Sequence, residues 1–250
     1  MTYLLVYISG VMSGFLNVIG GGGSMITVPI LIFLGLPPVV ANGTNRVAIM
    51  AEAISGTLTY KSKGYFYPKM GLMLSIPAVI GSIIGTFIAV GISDDAFNKV
   101  LGIIMLVVLG LILVRPEKKF LSGIEIMEFM GKRKIIAMIA FFFVGLYGGF
   151  IQIGVGFLMI VALALLTGMD LIKINALKTL IVAVYTLAAL LVFMTNSRID
   201  WGIGLVLALG NGTGAFLGSH FAVSKGEKPI RIILAITVIV MTGKLWGLWL

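Results

Sequence analysis

The sequence has no cysteine, which excludes disulfides and thiolate chemistry. It is also poor in charge: 11% of its residues are Asp, Glu, Lys or Arg, against 60% that are hydrophobic, and its mean hydropathy is +1.16. A soluble chain of 250 residues needs far more charged exterior than this to cover its apolar runs. The stretches 71–90, 101–114, 135–151 and 180–194 contain no charged residue at all. Hydrocarbon about 30 Å thick is crossed by roughly 20 apolar residues at about 1.5 Å each, and irregular backbone is kept out of lipid by its unpaired polar groups. These stretches therefore read as membrane helices. Also missing are a metal cluster, a nucleophile triad, a Walker phosphate loop and a dinucleotide fingerprint, because the glycine run 20–23 is followed by Ser24 and Met25 and has no flanking strand. The expectation is a protein that is not an enzyme and carries no cofactor or metal.

Residues 1–20 contain no Lys or Arg and read as a retained membrane segment, since a signal peptide opens on a basic region. The formal net charge of +9 sits mainly in short connections between apolar pieces, the usual membrane-protein pattern, so nucleic acid is not an expected partner and the lipid bilayer is.

What the chain does have is internal correspondence. At an offset of 133 residues Gly21 meets Gly154, Gly23 meets Gly156, Gly35 meets Gly168, Asn42 meets Asn175, Gly71 meets Gly204, Gly81 meets Gly214, Gly85 meets Gly218 and Gly110 meets Gly243. Apolar matches arise by composition alone, but a shared glycine series with a shared Asn does not. The expected division is a first transmembrane repeat at 1–114, a basic cytoplasmic linker at 115–133 and a second repeat at 134–250. Each copy has five apolar pieces, and the second piece of each (24–36 and 157–168) is too short for an ordinary span, as in a broken or re-entrant helix.

Three connections are basic: 115–134, the turn with Lys61, Lys63 and Lys69, and the turn with Lys225, Lys228 and Arg231. Only an inverted arrangement of the copies puts all three in the cytoplasm and the Asp94–Asp95 turn outside. The fold expected is an all-α, polytopic transmembrane bundle of two inverted repeats with about eight full spans plus short broken helices. The pattern specifies no oligomer.

Candidate functional residues lie at the breaks and just beyond them. Gly20, Gly21, Gly22 and Gly23, followed by Ser24, unwind the helix, at roughly 1 kcal/mol per glycine relative to alanine. Gln152, Gly154 and Gly156 form a milder break in copy two. A restarting helix presents bare N–H groups that suit an anion, whereas the plainer reading is close helix packing at small residues. Beyond the breaks stand Asn42, Thr44, Asn45 and Arg46 in copy one, and Asn175 and Lys178 in copy two. Cations at membrane depth point to function, or else snorkel to an interface. Glu52, six residues past Arg46 and on nearly the opposite face, is a proton-coupling candidate or a structural partner of a cation elsewhere. His220 reads as interfacial.

The segments 20–29, 34–38 and 41–46, within a duplicated plan covering nearly the whole chain, resemble the sulfite exporter TauE/SafE family of membrane permeases. The resemblance implies a multi-pass transporter in the plasma membrane of a prokaryote, moving sulfite or a sulfur-containing organic anion and driven by an ion gradient. Copy two departs from the pattern: Gln152 and Val155 interrupt the glycine series and Ala162 stands opposite Pro29. The functional expectation is a secondary transporter binding a small anion through Gly21, Gly22, Gly23, Ser24, Asn42, Thr44, Asn45, Arg46, Gln152, Asn175 and Lys178, with a proton as coupling ion. The alternatives are a passive anion channel and an accessory subunit.

Overall fold

The computed structural model describes residues 2–114 and 131–225. The fifth apolar piece of the second copy, with Lys228 and Arg231, and most of the basic connection expected at 115–133 lie outside the described residues. The described elements are all helices: α1 (Thr2–Gly20), α2 (Ser24–Phe33), α3 (Pro38–Ser62), α4 (Pro68–Gly91), α5 (Asp94–Val114), α6 (Gly131–Phe150), α7 (Val155–Thr167), α8 (Leu171–Thr195) and α9 (Trp201–Lys225).

Local chemistry accounts for where they start and stop. α3 and α4 open on Pro38 and Pro68, whose fixed φ suits a first helical position and whose missing N–H would be unpaired there anyway. α8 is capped by Asp170, which accepts from the N–H groups of Ile172 and Lys173 at 3.0 Å. α5 carries Asp94 and Asp95 in its first turn, against the positive end of its dipole, and Asp94 also accepts from Val39 N–H at 3.0 Å. α1 ends where Gly21 takes left-handed backbone, φ +82°, and Gly154 takes the same conformation, φ +72°, just before α7 starts.

The 133-residue correspondence extends to these limits: shifting α3 by that offset gives the bounds of α8. It extends to backbone conformation as well. Gly21, Gly35 and Gly64 have positive φ, and so do Gly154, Gly168 and Ser197, each 133 residues on.

Packing fixes the relative directions. A Cβ on Gly10 would press on Leu207 and Gly210, one on Gly14 on Asn211, one on Gly214 on Val11 and one on Gly218 on Phe15, so α1 and α9 run parallel at backbone contact. α4 and α6 do the same through Gly81 and Gly85 against Phe142, Leu146 and Phe150, and through Gly145 and Gly149 against Ala78 and Ser82. Glycines four residues apart present a ridge without side chains, which lets two helices meet in lipid by van der Waals contact. α3 runs parallel to α9, with Thr44 and Val47 near Gly204 and Ser55 bonded to Gly212. α3 and α8 are antiparallel: Gly43 meets Phe193 and Arg198, whereas Gly56 meets Thr179.

The exterior is apolar, and polar and charged side chains are buried within the apolar core. Leu72, Ile76, Ile80, Ile84 and Phe87 of α4 and Ile135, Ile136, Ile139 and Phe143 of α6 are exposed, while Asn42, Asn45, Arg46, Glu52, Asn175 and Lys178 are buried. α1, α4, α6, α8 and Trp201–Val223 of α9 are long and apolar enough to cross a membrane. α3 matches α8 in length but carries Asn42, Thr44, Asn45, Arg46, Glu52 and Lys61, which lower its hydropathy below that of a simple span. α2 and α7 are the short pieces, of 10 and 13 residues.

Candidate functional site

Breaking a helix leaves its last carbonyls without intrahelical partners, and in lipid those groups need donors from elsewhere. Here each helix end is capped from the other half of the chain. At the end of α1, Asn175 Nδ2 donates to Ile19 O at 3.0 Å, and Lys178 Nζ donates to Asn17 O at 2.9 Å, Val18 O at 3.2 Å and Asn175 Oδ1 at 2.8 Å. At the end of α6, Asn42 Nδ2 donates to Phe150 O at 3.0 Å. Arg46 donates through Nη1 to Gly148 O and to Gln152 Oε1 at 2.6 Å, and through Nη2 to Gly149 O at 2.8 Å. Cations favour helix C-termini, where the dipole is negative.

Arg46 and Lys178 are 0% and 3% exposed, so neither snorkels to an interface. Much of their hydrogen-bonding capacity is committed to backbone carbonyls.

The two breaks touch. A Cβ on Gly21 would collide with the backbone of Gly156 and Phe157, and one on Gly156 with Gly21. Gly22 is buried beside them, and Gly23 N–H donates to Asn17 Oδ1 at 3.3 Å, with its Cα against Ser13. Next to this contact lies a small cavity, about 10 Å³, lined by Asn17, Glu52, Gln152, Gly156, Lys178 and Thr179 with apolar side chains between them. That is room for about one water molecule.

Glu52 accepts from Asn17 Nδ2 at 2.6 Å and from Asn211 Nδ2 at 3.1 Å, and makes no bond to Arg46 on its own helix. Gln152 sits between two neighbours, Arg46 on one side and Tyr185 on the other, whose hydroxyl lies 3.0 Å from its Nε2. Thr44 Oγ1 accepts from Asp200 N–H at 2.9 Å and Asn45 Oδ1 from Thr27 Oγ1 at 2.7 Å, so these two side chains tie α3 to α9 and α2.

Buried polar atoms without partners mark places where an ion or water belongs. Ser24 Oγ, Asn45 Nδ2 and Arg46 Nε are such atoms, and all three are donors; Asn42 Oδ1 and Asn211 Oδ1 are acceptors in the same condition. Arg46, Glu52 and Lys178 are the charged side chains buried among the described residues. Two cations thus share the interior with one carboxyl group. Among the described residues no three His, Cys, Asp or Glu side chains gather as a metal site would require.

Of the residues singled out in the sequence, Glu52, Gln152 and Lys178 line the cavity; Arg46 reaches it through Gln152, and Asn175 through Lys178. Gly21 abuts the cavity-lining Gly156, while Ser24, Asn42, Thr44 and Asn45 do not line the cavity. Asn17, Asn211 and Tyr185 escaped sequence reasoning. The signal available for Asn17 and Asn211 was an amide inside an apolar span, beside the glycine break in one case and between Gly210 and Gly212 in the other.

Comparison with known proteins gives the family of the chain. The family model described as sulfite exporter TauE/SafE matches residues 6–245. A probable membrane transporter protein of Haemophilus influenzae is 29% identical over 241 residues, covering 96% of this chain and 93% of its own length. The probable membrane transporter protein YfcA of Escherichia coli K12 is 28% identical over 244 residues, at 96% and 88% coverage, and YunE of Bacillus subtilis is 29% identical over 264 residues, at 96% of both. No solved structure matches the chain.

Proposed function

Since the chain belongs to the sulfite exporter TauE/SafE family of membrane transporters, we propose that it is a secondary transporter of a small anion, sulfite or a sulfur-containing organic anion. The transport cycle alternates access to a site between two inverted repeats in the plasma membrane of a prokaryote. The observation that carries this reading is the charge buried among the described residues: Arg46 and Lys178 against Glu52. A monoanion balances that charge in a medium where an uncompensated one is costly.

The inverted relation is supported by helix direction. α1 and α3 of the first copy run parallel to α9, α6 and α8 of the second run parallel to α4, and α3 opposes α8. The reciprocal caps at the two breaks follow the same relation. The cavity holds about one water, so this conformation is occluded, and an oxyanion enters only when the caps on α1 and α6 separate. A proton is the coupling ion whenever the transported anion is a dianion, and Glu52 carries it.

Uptake of sulfite, thiosulfate, sulfoacetate and taurine into proteoliposomes tests the reading. Saturable uptake of at least one sulfur anion is the expected result. Absence of flux for all of them contradicts it, and currents far above carrier turnover favour the passive channel.

A further inference from the structure

Resting on that reading, we propose that Glu52 sets the valence of the anion the protein accepts: with Glu52 ionised the site takes monoanions, and a dianion enters only when that negative charge is removed.

Lys178 and Glu52 line the cavity together, and Arg46 is joined to it through Gln152. With Glu52 ionised the three groups sum to one positive charge, which one negative charge neutralises. A second negative charge would stand uncompensated inside a low-dielectric bundle, and buried charge without a partner is what such a site excludes most strongly.

The hydrogen bonds that Glu52 accepts in this conformation suit its ionised form. Both of its oxygens receive amide N–H groups, from Asn17 on α1 and Asn211 on α9, an arrangement that suits a carboxylate with only acceptors. The unpartnered Asn211 Oδ1 supplies the alternative. Turning that amide over presents an acceptor to a carboxylic acid O–H, so the same pair of side chains accommodates the neutral group without a new partner. The groups facing Glu52 are therefore Asn17 from α1, Asn211 from α9 and, across the cavity, the charged Lys178 of α8, with Tyr185 of α8 bonded to Gln152 behind it. The stoichiometry follows: each dianion moves with one proton on Glu52, each monoanion with none, and the net charge inside the bundle is the same in both cases.

The test compares methanesulfonate and sulfate, which carry one and two negative charges on the same sulfonyl chemistry and keep them throughout the pH range used. Initial uptake into proteoliposomes gives the sulfate-to-methanesulfonate ratio for wild type, Glu52→Gln and Glu52→Asp. Glu52→Gln is expected to raise that ratio by about tenfold or more, because it removes one unit charge from beside the anion. Glu52→Asp keeps the wild-type ratio whatever it does to the rate. Acidification raises the ratio in wild type and leaves it unchanged in Glu52→Gln. If Glu52→Gln does not cycle, the same ratio is read from the rise in Tm of the purified variant with each anion. A ratio unchanged by Glu52→Gln, in protein that still transports or binds methanesulfonate, overturns the valence rule and leaves the transporter reading standing. Absence of flux and binding for both anions and the sulfur-anion panel in wild type overturns both.

Discussion

At Arg46 one planar guanidinium serves two consecutive carbonyls of α6 and the amide of Gln152 together. A lysine ammonium is a compact point charge and does not span that arc. Arg46→Lys is therefore expected to lower stability by about 1–3 kcal/mol, read as a drop in Tm in detergent, because at least one buried acceptor loses its donor. An unchanged Tm would mean the arc is not the reason for an arginine there. Glu52 and Asn211 form a second unit. Asn211→Leu alone leaves a carboxylate oxygen short of a donor and is expected to cost about 1–3 kcal/mol. In the Glu52→Gln background the same change costs less, so a double-mutant cycle on Tm-derived stabilities yields a coupling of about 0.5–3 kcal/mol. Strict additivity would show that the two side chains do not interact.

Among the elements, the broken first helices and the third helices that cap them bear most of the weight. Two glycines with left-handed backbone separate conformation from packing. Gly35, φ +96°, has nothing within 4 Å of an added Cβ, so Gly35→Ala carries only the backbone strain, about 1–2 kcal/mol. Gly21, φ +82°, would drive its Cβ into the backbone of Gly156 as well. Gly21→Ala is expected to lose folded, monodisperse protein, whereas Gly35→Ala remains purifiable; equal behaviour on size exclusion would contradict the contact between the breaks. Much of this level was legible in the sequence. Glycine runs and short apolar pieces predicted both breaks, and the offset that aligned Asn42 with Asn175 aligned α3 with α8. What each cation does was not legible. Arg46 and Lys178 bind carbonyls 102 and 161 positions away, and no periodicity or propensity carries information over that separation.

For the whole molecule, the two halves of the described chain pack reciprocally, and neither lines the cavity alone. The cavity takes Asn17 and Glu52 from one copy and Gln152, Gly156 and Lys178 from the other. Residues whose polarity stood out against apolar sequence, Glu52 and Lys178, were found from the chain alone, whereas Asn17 and Asn211 acquire meaning only when α1 and α9 close on α3. Topology is open to direct test because the sequence contains no cysteine, so single cysteines need no background removed. The turns at 63–64 and 196–197 are equivalent at the 133-residue offset, and inverted copies put them on opposite sides of the membrane. Lys63→Cys and Ser197→Cys are expected to react with an impermeant maleimide from opposite faces of the vesicle, and labelling from the same face would refute inversion.

The claim on which the functional account rests is that buried positive charge contributed by both copies holds the transported anion. Lys178→Gln tests it most directly, since it removes one charge at the cavity while leaving an amide able to donate to the carbonyls at the end of α1. In proteoliposomes containing monodisperse variant, uptake of the best sulfur anion is expected to fall by about tenfold or more relative to wild type. Uptake at the wild-type rate and with the wild-type concentration dependence would contradict the account.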